Sequence, residues 1–180
     1  MTTVGIIGAR GYVGGELLQL LEGHESFEVD WVSSRKLAGD PVAEHVDGYG
    51  GELEYEEVSP DDAAQRGADV CILALPNGVS EEFIPVIEEA QPETIFVDVS
   101  ADHRFDDDWV YGQTERCRKR LEGARKISNP GCYATAMQLG IWPIADLIDG
   151  RPHCFGVSGY SGAGTTPSRR HEPELLANNM

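Results

Sequence analysis

The chain has 180 residues, of which 41% are hydrophobic, and its 31 acidic and 14 basic residues give a formal net charge of −17. This length allows one full domain and the start of another, and a chain without an apolar run of about 20 residues is predicted to be soluble rather than membrane-spanning. The strong negative charge argues against nucleic acid or an anionic membrane as a partner.

The first predicted strand, Thr3–Ile7, follows Met1 without a basic leader, so we expect a cytoplasmic protein. A glycine turn, Gly8-x-x-Gly11-x-x-Gly14, comes next, and a helix is then predicted from the spacing of Val13, Leu17, Leu20 and Leu21. Glycines let the backbone approach a pyrophosphate at a helix N-terminus. A merely tight turn is the alternative, but the place between strand and helix favours a cofactor. The predicted cofactor residues of this turn are Gly8, Arg10, Gly11, Tyr12, Val13 and Gly14.

The second strand, Phe27–Ser33, is predicted from its alternating apolar residues and leads into Ser34, Arg35 and Lys36. An NAD-selective domain usually has an acidic residue here to bond the ribose hydroxyls. The Ser34 hydroxyl and the Arg35 guanidinium suit a 2′-phosphate instead, so NADP is the predicted cofactor, with Arg10 adding charge nearby. A helix cap beside a solvated arginine is the alternative.

After a less regular acidic stretch at residues 38–60, buried strands are predicted at Val70–Leu75 and Ile95–Val99, with a glutamate-rich helix between them. Continuous apolar strands that alternate with helices indicate a parallel sheet covered on both faces, and we predict a doubly wound Rossmann domain of α/β class. Pro76-Asn77-Gly78 follows a strand end, where open sheets bind ligands, although any strand needs a turn there. Arg104 could hold a carboxylate or phosphate group, or pair with neighbouring aspartates.

Four cysteines are present, and the absence of a Cys-x-x-Cys pair suggests neither a zinc site nor a disulfide framework. Cys71 is expected in a strand core and Cys117 on a charged helix or loop. Cys132 follows a turn built on Pro130 and Gly131 and should begin a helix, where backbone N–H groups and the helix dipole favour an anion. A buried filler is the usual role of a free cysteine, but this setting favours a nucleophile.

The pattern changes at Arg151-Pro152, so domains are predicted at residues 1–149 and 150–180. Cys154–Ser158 is expected to form a strand that enters a loop rich in glycine and serine. The remaining residues are too few to close a second domain, which makes the chain look like a fragment.

Six motifs together resemble the N-acetyl-gamma-glutamyl-phosphate reductase family of arginine biosynthesis, which is related to aspartate-semialdehyde dehydrogenase. They are Gly-Ala-Arg-Gly-Tyr-Val-Gly, Ser-Ser-Arg, Leu-Ala-Leu-Pro-Asn-Gly, Val-Ser-Ala-Asp-His-Arg-Phe, Ser-Asn-Pro-Gly-Cys-Tyr-Ala-Thr and Ser-Gly-Tyr-Ser-Gly-Ala-Gly. The resemblance runs from residue 4 to the end of the chain. It implies NADPH-dependent reduction of an acyl phosphate to a semialdehyde, with release of phosphate.

The resemblance also assigns roles to single residues. Cys132 would be the catalytic nucleophile, and no metal is expected. The implied cofactor residues are the first glycine turn, Ser34, Arg35, Pro76, Asn77, Gly78, Ser161, Gly162 and Gly164. The implied substrate residues are Arg104, Asn129, Ser158 and Gly159.

The family pattern further implies a homo-oligomer and an α+β catalytic and dimerisation domain, of which residues 150–180 are the beginning. Tyr111-Gly-Gln-Thr-Glu115 departs from the Tyr-Gly-Leu-Pro-Glu common in similar enzymes. The acid/base histidine is expected beyond Met180, and His171 is not assigned that role. Alone, the chain is therefore expected to bind cofactor at best, and to turn over poorly or not at all.

In the expected mechanism, the Cys132 thiolate attacks the acyl phosphate and the resulting thioester accepts hydride from the nicotinamide. One alternative is the reduction of another acyl phosphate, such as aspartyl phosphate or a carrier-protein-bound aminoadipyl or glutamyl phosphate. A non-catalytic NADP-binding module is a second. A cysteine hydrolase is a third, and it leaves the glycine turn and Ser34-Arg35 without a role.

Overall fold

The computed structural model describes residues 1–163. Contacts between residues divide the chain into two compact units, the first ending at Pro130 and the second beginning at Gly131. This boundary lies earlier in the chain than the change of composition at Arg151-Pro152. Within the part that the structure describes, no helix is both long and apolar enough to cross a membrane.

The first unit is built on a seven-stranded sheet in the order β3-β2-β1-β4-β5-β7-β6. Every pair of neighbouring strands is parallel. The carboxyl ends of all seven strands therefore lie along one edge, called here the carboxyl edge. This arrangement confirms the predicted doubly wound α/β fold. The strands are β1 (Thr2–Ile7), β2 (Phe27–Ser33), β3 (Tyr55–Glu56), β4 (Val70–Leu73), β5 (Ile95–Asp98), β6 (Val110–Tyr111) and β7 (Lys126–Ser128).

Four α-helices belong to the first unit and one to the described part of the second. They are α1 (Tyr12–Leu21), α2 (Pro60–Arg66), α3 (Ser80–Ala90), α4 (Thr114–Leu121) and α5 (Cys132–Ile141). Short 3-10 helices occur at Val42–Glu44, Trp142–Leu147 and Tyr160–Ala163.

Helix α2 begins at a capping box that sequence analysis missed. The Ser59 hydroxyl accepts a hydrogen bond from the Asp62 N–H at 3.2 Å, and the Asp62 carboxylate accepts one from the Ser59 N–H at 3.0 Å. Two of the backbone donors that every helix start leaves unpaired are thereby satisfied. The bonds from Ser59 to the carboxylate also lower the pKa of Asp62.

The core consists of two apolar layers, one on each face of the sheet. Helices α2 and α3 cover one face, through side chains such as Phe83 and Ile87. Helix α1 covers the other face mainly through Leu18, which is fully buried. Leu20, one of the residues whose spacing predicted this helix, is 71% exposed. Gly14 packs against the backbone of the preceding turn, and this close contact directs the Gly14 and Leu18 side of α1 inward.

The start of β1 is joined to the residue before β4 by side-chain bonds. The Asp69 carboxylate accepts hydrogen bonds from the Thr3 N–H at 2.8 Å and from the Thr3 hydroxyl at 3.0 Å. These bonds, the backbone one first, lower the pKa of the exposed Asp69 carboxyl. The carboxylate form therefore favours the native pairing of these strands.

The second unit contains α5 and the 3-10 helix Trp142–Leu147, and its next residues have no regular structure. The strand expected at Cys154–Ser158 is therefore wrong. Phe155 and Val157 are 95% and 87% exposed. A strand needs a neighbour to pair with its backbone N–H and C=O groups, and the described residues of this unit contain none.

Candidate functional site

Three glycines shape the turn between β1 and α1, each for a different physical reason. Gly8 has φ +85, and a β-carbon there would lie 2.5 Å from the Ala74 carbonyl oxygen. A β-carbon on Gly14 would overlap the backbone of Ala9. Gly11 caps α1 with an ordinary φ of −72, and no atom lies within 4 Å of the position of its missing β-carbon. The turn is thus tightly packed beneath and open at the start of the helix.

Ser33, which sequence analysis did not select, fixes this turn from the neighbouring strand. Its hydroxyl accepts the Gly8 N–H at 3.3 Å, and its carbonyl accepts the Ala9 N–H at 2.9 Å. No side chain caps α1 at its N-terminus. The first-turn N–H groups, which have no partner within the helix, are therefore available for an anion at the open Gly11 position.

Three basic side chains, Arg10, Arg35 and Lys36, are exposed around this end of β1 and β2. None of them forms an ion pair within residues 1–163. Ser34 is buried, and its hydroxyl accepts the Leu37 N–H at 3.3 Å, so it shapes the turn that presents Arg35. The open glycine cradle and these free cations fit a dinucleotide phosphate. The individual assignments stay predictions.

The residues that directly follow β2 are Ser34, Arg35 and Lys36, and none of them is the acid expected in an NAD-selective domain. The nearest acid in register is Glu56 of β3, which pairs with Ser33 in the sheet. Its carboxylate is held by Arg66, through an Nη1–Oε1 hydrogen bond of 2.7 Å and a second bond from Nη2. This arrangement favours a phosphorylated ribose over a free one at this position.

The predicted cofactor turn Pro76–Gly78 lies at the carboxyl edge beyond β4 and is bonded to the loop that follows β5. The Asn77 side-chain oxygen accepts the Ala101 N–H at 3.0 Å, and the Asp102 carboxylate accepts the Gly78 N–H at 2.6 Å. Partial burial raises the pKa of Asp102, but hydrogen bonds from Gly78, Ser100 and Ser80 outweigh it and lower the pKa overall. Sequence analysis did not select Asp102, although it stands inside a quoted motif.

Arg104 contacts backbone carbonyls rather than acids. Its Nε donates to the Asn129 carbonyl at 3.0 Å and its Nη2 to the Val99 carbonyl at 3.1 Å. Pairing with the neighbouring aspartates does not occur within residues 1–163. Its remaining Nη1 group is left for an anion, so a substrate role stays a prediction. Asn129 is brought to the same edge, because its N–H donates to the Asp98 carbonyl at 2.7 Å.

In the second unit, Cys132 is the first residue of α5 and is exposed, as predicted. Gly131 caps this helix without a side-chain bond, and the Thr135 hydroxyl donates to the Gly131 carbonyl at 3.0 Å. The thiol therefore stands beside first-turn N–H groups that no side chain occupies. Such a position gives a substrate access to the sulfur and can stabilise an oxyanion formed beside it.

A cavity of about 590 Å³ in the second unit brings Cys132 together with four other predicted site residues. Those residues are Ser158, Gly159, Ser161 and Gly162, and the cavity also contacts Tyr133, His153 and Cys154. Nothing in the sequence pattern had indicated the last three. The predicted cofactor residue Gly164 lies outside the described residues, as does His171.

The four cysteines are all free and differ in exposure. Cys71 is buried in β4, as predicted, and burial raises the pKa of its thiol to about 12. Cys117 lies on α4 and is partly exposed. Residues 1–163 contain no group of three or more His, Cys, Asp or Glu side chains that could hold a metal ion.

Several buried polar groups near the ends of β5, β6 and β7 have no hydrogen-bond partner among residues 1–163. Gln113, inside the stretch that departs from the family pattern, is 2% exposed, and both its side-chain oxygen and nitrogen are unpaired. The Ser128 hydroxyl and His103 Nε2 are also buried without a hydrogen bond to these residues, although His103 Nε2 lies 4.0 Å from the Asp98 carboxylate. His103 stacks on Trp109 with ring centres 4.1 Å apart. Unpaired buried groups of this kind lower stability.

Comparison with known proteins agrees with this geometry. The family model for the semialdehyde dehydrogenase NAD-binding domain matches residues 3–124, and the model for the semialdehyde dehydrogenase dimerisation domain matches residues 132–180. An N-acetyl-gamma-glutamyl-phosphate reductase of Xanthomonas campestris pv. campestris (strain B100) is 56% identical over 99% of this chain and 57% of its own length. The chain thus spans little more than half of that relative.

Two solved structures share the fold. Aspartate semialdehyde dehydrogenase II of Vibrio cholerae, complexed with ASA, has a TM-score of 0.64 and 23% identity, over 81% of this chain and 47% of that one. Aspartate semialdehyde dehydrogenase of Candida albicans, with NADP, has a TM-score of 0.60 and 17% identity, over the same shares of the two chains. At these identities the likeness supports the architecture and not the substrate.

Proposed function

This chain belongs to the semialdehyde dehydrogenase family, and from that membership we propose that the whole protein is an N-acetyl-gamma-glutamyl-phosphate reductase. It reduces the acyl phosphate with NADPH to the semialdehyde and releases phosphate. The substrate is inferred from the relative that is 56% identical over 99% of the chain.

One structural observation carries the chemistry: an exposed cysteine begins α5 at a helix N-terminus that no side chain caps. A nucleophile needs access to the substrate and donors for the oxyanion that its attack creates, and this exposed position beside first-turn N–H groups supplies both. Cys71 shows the contrast, because burial raises its pKa to about 12 and keeps its thiol neutral.

In the proposed reaction, the Cys132 sulfur attacks the acyl carbon, a carbon–sulfur bond forms, and the bond from carbon to the phosphate oxygen breaks. Backbone N–H groups in the first turn of α5 stabilise the oxyanion formed during this exchange. NADPH, held by the residues of the first unit, would supply the hydride for reduction of the thioester carbonyl. Collapse of the resulting hemithioacetal breaks the carbon–sulfur bond, which restores the thiolate and releases the aldehyde.

The residues of the first unit would hold the dinucleotide. First-turn N–H groups of α1 would receive the pyrophosphate at the open Gly11 position. The exposed Arg35, together with Arg10, would bind the 2′-phosphate as predicted. We also propose that the enzyme works in the cytoplasm as a homo-oligomer, an inference that the match to a dimerisation-domain model supports.

The test of the nucleophile uses the full-length protein with Cys132→Ser and, as a matched control, Cys117→Ser on α4. Phosphate-dependent oxidation of N-acetylglutamate semialdehyde should be lost in the first variant and kept in the second, while both bind NADPH as the wild type does. Retained turnover in Cys132→Ser would remove this cysteine from the mechanism. Faster oxidation of aspartate semialdehyde, or of a carrier-bound semialdehyde, would indicate the alternative substrates.

Cofactor selectivity is tested with Arg35→Asp, against Arg118→Asp on the exposed side of α4 as a control for charge. Loss of a charge-assisted contact to phosphate should raise the dissociation constant of NADPH by about tenfold or more, with that of NADH unchanged or lower. Nicotinamide fluorescence measures both constants. Equal effects on NADPH and NADH would show that Arg35 does not read the 2′-phosphate, and absence of NADPH binding in the wild type would favour a cofactor-free cysteine hydrolase.

A further inference from the structure

The turn Pro76–Gly78 is closed by one long hydrogen bond, in which the Val79 N–H donates to the Pro76 carbonyl at 3.3 Å. Gly78 has φ +83, in the left-handed region, and no atom lies within 4 Å of its missing β-carbon. Glycine is therefore required there by backbone conformation and not by crowding. Val79 caps the following helix α3 without a side-chain hydrogen bond.

A carboxylate from another loop adds further hydrogen bonds to this turn and to the start of α3. Asp102, four residues beyond the end of β5, accepts the Gly78 N–H at 2.6 Å and the Ser80 hydroxyl at 3.3 Å through the same oxygen, Oδ2. Bonds from N–H and O–H donors to an ionised acceptor are stronger than neutral ones. The N-terminus of α3 adds a favourable dipole for the negative charge.

Asp102 is itself held from below by a buried pair. Its N–H donates to the Ser100 hydroxyl at 3.1 Å, and that hydroxyl donates to the Asp98 carboxylate at 2.6 Å. Asp98 is fully buried at the end of β5. The position of the Asp102 carboxylate is therefore set by the rigid end of a central strand and not by a mobile surface loop.

A second bond joins the same two loops. The Asn77 side-chain oxygen accepts the Ala101 N–H at 3.0 Å. Asn77 and Gly78, the turn residues that could face a ligand, are therefore both hydrogen-bonded to the loop after β5. Three residues after Ala101, the Arg104 Nε donates to the Asn129 carbonyl at 3.0 Å. The loop from Ser100 to Arg104 thus connects the proposed cofactor turn with the segment that leads to α5.

We propose that Asp102 is a positioning residue, which fixes the Gly78 backbone in the shape that receives the cofactor. This inference rests on the proposed function, because it takes Pro76–Gly78 as part of the NADPH site. The carboxylate does not touch the dinucleotide in this role. Because Asp102 already restricts the glycine turn before the cofactor binds, the turn loses less conformational entropy on binding.

The test uses full-length protein with Asp102→Ala and Asp102→Asn, and with Asp107→Asn as a control. Asp107 lies in the same loop, is exposed and has no hydrogen bond or ion pair to the described residues. The dissociation constant of NADPH, measured by nicotinamide fluorescence, should rise about tenfold in Asp102→Ala and about threefold in Asp102→Asn, which keeps an acceptor oxygen. The control should stay within twofold of the wild type.

A purely structural role would lower the melting temperature without this graded effect on binding. In turnover assays, the KM for NADPH should rise in the same order while the KM for the acyl phosphate is unchanged. Hydrogen exchange at the Gly78 amide should be faster in both Asp102 variants without cofactor. If Asp102→Ala does not fold, the isosteric Asp102→Asn decides between the outcomes alone.

Binding of NADPH by the wild type together with unchanged binding by the Asp102 variants would overturn this inference and leave the proposed function standing. Failure of the wild type to bind NADPH would overturn the proposed function, and this inference with it.

Discussion

Replacement of Gly14 by alanine should destabilise the protein, whereas the same replacement at Gly11 should leave its stability nearly unchanged. A β-carbon on Gly14 would overlap backbone atoms of Ala9, which cannot move without distorting the turn after β1. Such overpacking costs about 3 kcal/mol of unfolding free energy, or about 6 to 12 °C in melting temperature for a chain of this size.

Gly11 offers the matched comparison in the same turn. Its φ is −72 and the space beside it is open, so alanine fits without strain. Alanine is a poorer helix cap than glycine, which lowers the unfolding free energy, but it also makes the unfolded chain less flexible, which raises it. The net change in unfolding free energy should be under about 1 kcal/mol. The added methyl group would nevertheless stand where the pyrophosphate approaches, so NADPH binding should weaken by about tenfold or more.

Thermal unfolding followed by circular dichroism, with titration of nicotinamide fluorescence, separates the two effects. The expected pattern is low stability in Gly14→Ala, and near-normal stability with poor NADPH binding in Gly11→Ala. A melting temperature of Gly14→Ala within about 2 °C of the wild type would refute the packing role assigned to that glycine. Normal NADPH binding by Gly11→Ala would refute the open cradle as the pyrophosphate site.

Three further outcomes follow from the described residues. Iodoacetamide at pH 8 should modify Cys132 in the native protein but leave Cys71 unmodified until the chain unfolds, because burial raises the pKa of Cys71 to about 12. Mass spectrometry of labelled peptides measures this, and labelling of Cys71 in the native protein would contradict the expectation. Gln113→Leu should raise the unfolding free energy by about 1 to 2 kcal/mol, because it removes a buried amide that has no hydrogen-bond partner among residues 1–163. Gln65→Leu, on the surface, should not raise it. A loss of stability in Gln113→Leu would mean that the amide has hydrogen-bond partners in solution. Asp69→Asn should lower the unfolding free energy at pH 7. The difference between variant and wild type should vanish in acid, as the pH falls through the lowered pKa of the native Asp69 carboxyl. Urea unfolding measures it, and a constant difference between pH 7 and pH 2 would contradict the assigned pKa shift.

The parts of the fold that sequence predicted are those with strong local signals. Phe27–Ser33 was predicted as a strand with the bounds that the structure has, because its apolar residues alternate over seven positions between turn signals. The turn after β1 and the start of α5 at Cys132 were also predictable, because spaced glycines and a Pro-Gly pair are typical of such turns and helix starts. Strands of two or three residues, such as Val110–Tyr111, carry too little periodicity to be seen.

Other features depend on contacts that no local pattern encodes. The buried side of α1 is directed by the close approach of Gly14 to the preceding turn, and the spacing of the leucines does not by itself show that Leu18 is buried and Leu20 exposed. The strand expected at Cys154–Ser158 has suitable residues but no neighbour among those described. Asp102 acts on a turn 24 positions earlier in the chain. Long-range pairs of this kind are beyond inference from one sequence.

The two outer strands of the sheet, Tyr55–Glu56 and Val110–Tyr111, have two residues each. Each therefore presents few unpaired backbone groups to another polypeptide, while the long strands that could template a neighbour lie inside the sheet. Short borders of this kind discourage edge-to-edge growth into amyloid-like aggregates. A substitution that lengthened either outer strand would be expected to promote aggregation in concentrated solution, even where the fold itself is unchanged.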